Sequence, residues 1–329
     1  MSAGRNGKPY SGGDYHAPWW LPGGDLQTIY PRMMAGQYPI SYRRERWETP
    51  DGDFIDLDIV DANHDSAKLL VLFHGLEGSS QSHYARSLLA FASRRGWRCV
   101  VVNFRGCSGA MNRLPRAYHS GDSAEIDWIL RRLKARDPRS EIYAIGVSLG
   151  GNMLLKWLGE TGSEAGAIVE RAVAVSAPVD LAAAASVLDF GHRRLIYTRR
   201  FLRSLKRKML AKISQHGLNI DPAEILTCLT FRQIDDLYTA PIHGFKDADD
   251  YWTRSSSKPW LKHIQIPTLM INARNDPFLP ASALPRDGEV SDSVTLDFPD
   301  FGGHVGFVSG NFPGRLDWLP KKILHFFIA

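Results

Sequence analysis

The chain has 329 residues, 44% of them hydrophobic, enough to bury the core of one large α/β domain with an insertion or of two ordinary domains. No apolar run reaches the roughly 18 to 20 residues needed to cross a bilayer, and the Gly-rich start lacks the apolar centre of a signal peptide, so the cytoplasm is the expected compartment. The net charge of +5 is unevenly spread: nine cationic side chains and no acidic one stand between Gly191 and Lys212, which leaves the rest of the chain net negative. Cys99, Cys107 and Cys228 cannot all pair and show no CxxC spacing, so no disulfide framework or zinc site is expected and they read as structural thiols.

The first fifty residues, with "HAPWWLPGGDLQTIYPR", mix tryptophan with proline and glycine, a composition that favours turns and predicts an irregular arm over the domain. Its aromatics are candidates either for lining a pocket or for sealing the core. "DFIDLDIV" alternates as a half-exposed strand does, and "KLLVLF" is a continuous apolar run suited to a buried parallel strand. A helix is predicted over residues 83–95, a buried strand at "CVVVNF", a helix over 120–135 with acidic residues in its first turn, then the strand "IYAIGV" with its helix, and the strand "RAVAVSAP". After Pro178 the alternation stops for roughly 85 residues, too long for a simple connection. It resumes with "PTLMINAR", "SVTLDF" and a C-terminal amphipathic helix over 315–328.

Repeated βα units predict an α/β fold, a mostly parallel sheet with helices on both faces and an inserted helical cap. The expected division is an arm over residues 1–50, a core over 51–178 and 263–329, and the cap over 179–262.

The stretch "EIYAIGVSLGGNML" turns sharply from strand to helix at Ser148. Glycines two residues before and after, Gly146 and Gly150, relieve crowding at such a strained corner, and a serine there projects over the carboxyl edge of the sheet. A serine hydroxyl needs a base, and the base needs an orienting acid. Asp276 follows the "PTLMIN" strand and His304 lies in the Gly-rich loop after "SVTLDF". The order Ser148, Asp276, His304 is that of a nucleophile, acid and base on such a sheet. Two oxyanion donors are expected: the N–H of Leu149, next after the serine, and the N–H of Leu76, in "LFHGLEGSS" after a buried strand. His74, at that strand's end, suits loop-shaping hydrogen bonds better than base work.

These motifs resemble the α/β-hydrolase superfamily and, within it, the YheT-like branch related to ABHD1/ABHD2/ABHD3-type proteins. "WWLPGGDLQT", "HGLEGS", "NFRGCSG", "RAYHSGD", "GVSLGGNML", "NARNDPF" and "GGHVGF" carry the likeness across most of the chain. The resemblance implies a serine hydrolase of small-molecule carboxylic esters with Ser148, Asp276 and His304 as its triad, needing neither a metal nor an organic cofactor. Thioester cleavage or acyl transfer by the same triad is the alternative. Some relatives are discussed as acyltransferases through a His followed five residues later by Asp; Ser309 stands there, which weakens that reading. A non-catalytic binding protein on the same fold is a further alternative. "GVSLGG" is neither a dinucleotide fingerprint nor a P-loop.

The basic stretch that begins at Arg193 and ends at Lys212 carries Leu195, Leu202, Leu205 and Met209 on one helical stripe. It reads either as a solvated cap helix packed by that stripe or as a peripheral contact with anionic membrane. With few aromatics to stack bases, nucleic acid is not an expected partner. Acyl-chain length and oligomeric state are not legible from sequence.

Overall fold

The computed structural model describes residues 14–62 and 66–329, so the reading of the extreme N-terminus lies outside the described residues. Eight strands form one sheet in the order β1-β2-β4-β3-β5-β6-β7-β8. They are β1 (Arg43–Glu48), β2 (Phe54–Val60), β3 (Lys68–Phe73), β4 (Arg98–Asn103), β5 (Glu141–Val147), β6 (Arg171–Val175), β7 (Thr268–Ile271) and β8 (Val294–Asp297). β2 is antiparallel to both neighbours, and every other pair is parallel.

Side chains of a strand alternate between faces, so the apolar runs supply two cores at once. On one face Leu70, Leu72, Val101 and Ile145 pack with Leu88 and Leu89 of α2 (His83–Ser93) and with Ile323 and Phe327 of the C-terminal helix Trp318–Ile328. On the other, Val71, Phe73, Val100 and Val102 meet Ile126 and Ile129 of α3 (Ser123–Arg136) and Met153 and Trp157 of α4 (Leu149–Thr161). The parallel register aligns Phe73 with Gly146, Val147 with Val175, Val175 with Ile271, and Ile271 with Asp297. The loops that follow these residues therefore gather along one edge.

Two local expectations change. The first fifty residues are not purely irregular: α1 (Gly24–Ile29), a 3₁₀ segment (Tyr30–Gln37) and the edge strand β1 lie there. β2 is not half-exposed, because Asp56 and Asp58 are buried. The edge strand β1 and the buried acids of β2 have one cause. Arg46 grips Asp56 at 2.8 and 2.9 Å and Arg44 grips Asp58 at 2.7 and 2.8 Å, so cations of a strand with little apolar character pair with acids across the register. A buried carboxylate is tolerated only when so paired.

Between β6 and β7 the chain is helical, beginning with α5 (Leu181–Leu188) and including the long helix Arg199–His216. Leu202 and Met209 of the predicted stripe are buried against Ile225, Ile234 and Tyr238, whereas Leu195 is 62% exposed. Lys212 is buried and donates to the carbonyls of Asn112 and Leu114, and Lys208 pairs with Glu77 at 2.7 Å. Part of the basic stretch thus faces inward, and of the stripe Leu195 stays exposed, beside exposed Phe190 and Ile196, while Leu202 and Met209 are taken up by packing. Among the described residues no helix is long and apolar enough to cross a membrane.

Candidate active site

Ser148 occupies the corner between β5 and α4 with φ 54° and ψ −122°, a left-handed conformation that is costly for a residue with a side chain. Hydrogen bonds on both sides hold it: its N–H donates to Val175 O at 2.8 Å, and its carbonyl accepts from Gly151 N and Asn152 N at 2.8 and 3.1 Å. The glycines earn their places by close approach. A Cβ on Gly146 would lie 2.4 Å from Gly150 O, and one on Gly150 would lie 2.5 Å from Phe73 O.

The three residues expected to act together meet in one hydrogen-bonded chain. The Ser148 hydroxyl is 2.9 Å from His304 Nε2, and His304 Nδ1 is 2.9 and 3.2 Å from the two oxygens of Asp276. Asp276 is oriented in turn by the N–H of Phe278, which donates to it at 2.8 Å, and the Phe278 ring stacks on the imidazole at 4.0 Å. A neutral imidazole with its proton on Nδ1 leaves Nε2 free to accept from the serine hydroxyl.

Leu76 lies in the loop after β3, beside the serine: a Cβ on Gly75 would fall 2.9 Å from Ser148 Cβ. The Leu149 N–H opens α4. Both residues line the same cavity as Ser148 and His304. His74 is buried; its Nδ1 donates to Gly75 O at 2.7 Å while its Nε2 accepts from Phe104 N at 3.1 Å. Burial pushes its pKa down to about 4, so the ring stays neutral and shapes the loop.

Sequence reading missed the residues that hold the histidine loop. Thr28 accepts from His304 N at 2.8 Å and donates to Gly24 O at 2.7 Å, Gln27 accepts from Gly302 N at 2.8 Å, and Ser176 accepts from Val305 N at 3.1 Å. Gln27 and Thr28 belong to "GGDLQT", a motif visible in the sequence whose partners lie some 275 residues away. His83, with a pKa that burial lowers to about 4, donates through Nε2 to Val305 O at 3.1 Å. Glu77, with φ 54°, donates its N–H to Tyr118 Oη at 2.8 Å and accepts from that hydroxyl at 2.9 Å, which ties the Leu76 loop to "YHSGD". The N-terminal tryptophans do not face the cavity: Trp20 donates to Gly310 O and packs on Phe312, and Trp19 is exposed.

The cavity holds about 530 Å³, a volume suited to a small organic ligand. Leu181, Leu188, Phe201, Phe231 and Phe278 give it an apolar wall, and Arg32 and Arg200 add charge.

Residues 68–310 match the model of the alpha/beta hydrolase fold family. The chain is 40% identical to the Escherichia coli (strain K12) protein YheT over 304 residues, covering 91% of this chain and 88% of that one. It is 27% identical to human phospholipase ABHD3 over 320 residues, covering 95% and 78%, and 26% identical to bovine monoacylglycerol lipase ABHD2, covering 93% and 77%. A solved esterase of Pyrococcus furiosus superposes with a TM-score of 0.58 at 17% identity, covering 89% of this chain and 92% of that one. With the sheet order, the serine corner and these likenesses in agreement, the chain belongs to the alpha/beta hydrolase fold family.

Proposed function

We propose that the protein is a serine hydrolase of carboxylic esters. The observation that carries this reading is the chain of hydrogen bonds from Ser148 through His304 to Asp276 at the wall of an apolar cavity. As the Ser148 hydroxyl attacks the ester carbonyl, His304 Nε2 takes its proton, and Asp276 stabilises the imidazolium without itself being protonated. The N–H groups of Leu76 and Leu149 receive the oxyanion of the tetrahedral intermediate. Its collapse expels the alcohol, protonated by His304, and leaves the acyl group on Ser148. Water deprotonated by the same histidine then releases the acid and restores the serine.

The apolar wall supports an acyl chain of short to medium length as the group transferred to the serine, and the named activities of the ABHD relatives support glycerol-based lipid esters as the substrate class. In this reading residues 179–262 act as a cap that shapes the acyl pocket. The test is hydrolysis of p-nitrophenyl butyrate, with labelling by a fluorophosphonate probe. Both are expected of the native protein and both are expected to vanish in Ser148→Ala. Full activity in that variant would remove the assignment.

A further inference from the structure

Two guanidinium groups line the cavity that holds Ser148. Arg32 comes from the 3₁₀ segment Tyr30–Gln37 and Arg200 from the helix Arg199–His216, so two elements distant in sequence bring like charges to one cavity, near enough for Arg200 to act on Arg32. Most arginines of this protein that approach another element do so to meet a carboxylate, as Arg44, Arg46 and Arg105 do. The side chains of Arg32 and Arg200 form no ion pair and no hydrogen bond among the described residues. The protein packed around its inner side and the neighbouring Arg200 hold the Arg32 guanidinium below its ordinary range, although its outer side stays open to water. The two acids of the cavity wall are engaged elsewhere. Glu77 is taken by Lys208, Tyr118 and Ser204, and Asp235 accepts from the Trp252 indole N–H at 2.8 Å. What the pair lacks is an anion, and the cavity opens on the reacting serine.

We propose that Arg32 and Arg200 form an anion subsite of the catalytic cavity, selecting esters whose alcohol portion carries a phosphate or carboxylate group. The placement follows from the cavity's polarity. Leu181, Leu188 and Phe278 are buried and accept the acyl chain, while both arginines are exposed at the cavity's edge, where the charged portion of the substrate stays in contact with water. A guanidinium pair binds either anion through forked, charge-assisted hydrogen bonds. This inference rests on the esterase reading above and narrows its substrate class.

The test compares kcat/KM for three octanoyl esters with the same acyl chain: octanoyl glycerol, octanoyl glycerol phosphate and the octanoyl ester of glycolate. The native protein is expected to favour at least one anionic ester over the neutral one by about tenfold or more. The double variant Arg32→Gln/Arg200→Gln is expected to abolish that preference, the two single variants to reduce it, and Arg32→Lys/Arg200→Lys to retain part of it. A preference for the phosphate ester alone assigns the subsite to phosphate, and an equal preference for both assigns it to anions generally. Cleavage of the neutral ester with no preference for either anion, or a preference unmoved by both glutamine substitutions, would overturn the subsite and leave the esterase reading standing. Absence of all three hydrolyses together with absence of fluorophosphonate labelling would instead sink the esterase reading itself.

Discussion

Thr28 offers a direct probe of how an N-terminal residue governs a histidine near the other end of the chain. Its hydroxyl is buried, accepting from His304 N at 2.8 Å and donating to Gly24 O at 2.7 Å. Thr28→Val replaces that hydroxyl with a methyl group of similar size, so no cavity forms and no contact is added. Two hydrogen bonds are lost, and the His304 N–H is left buried beside a methyl. An unsatisfied buried donor costs about 1 to 3 kcal/mol. For a chain of 329 residues that corresponds to a fall in Tm of roughly 1 to 2 °C for each kcal/mol. The histidine loop can recover part of that energy only by moving, and movement lengthens the 2.9 Å contact between His304 Nε2 and Ser148 Oγ. A misplacement of about 1 Å is worth roughly a hundredfold in rate. Thermal denaturation and the kinetics of p-nitrophenyl butyrate hydrolysis read the two effects separately, and Thr28→Ser, which keeps the hydroxyl, is expected to hold both near native values. Should Thr28→Val match the native protein in both Tm and kcat, Thr28 does not position His304.

Gly75→Ala places a methyl group 2.9 Å from Ser148 Cβ and 3.4 Å from its hydroxyl, so kcat is expected to fall about tenfold or more while the fold survives; native kinetics would mean that the loop yields freely. Asp235 is buried, and its pKa is pushed up to about 7 by loss of hydration, so between about pH 4 and pH 7 the folded state binds a proton that the unfolded state has released. Stability from this group therefore declines as pH rises through that window and is flat above it. Asp235→Asn removes the decline and is expected to be more resistant to urea than the native protein at pH 8, with a smaller difference at pH 5; identical pH profiles would argue against a protonated Asp235.

The order of strands and helices, the corner at Ser148 and the positions of Asp276 and His304 were legible in the sequence because each is written in local chemistry: apolar runs of strand length, glycines flanking a serine, and Asp-Pro or Gly-Gly at strand ends. His74 was likewise legible as a loop-shaping residue from its place at a strand terminus. Long-range pairing was not legible. Arg43–Glu48 looks like a solvated segment until its arginines meet Asp56 and Asp58, and "GGDLQT" looks like a turn until Gln27 and Thr28 meet the loop of His304. The basic stretch shows the same limit, since periodicity reports which residues share a helical face but not that Lys208 and Lys212 turn inward while Arg200 is left without an acid. The sequence by itself thus determined the fold and the three residues of the serine chain. Only the tertiary structure decided what supports His304 and which charges go unanswered, because hydrogen bonds and ion pairs depend on distances between segments that no local pattern encodes.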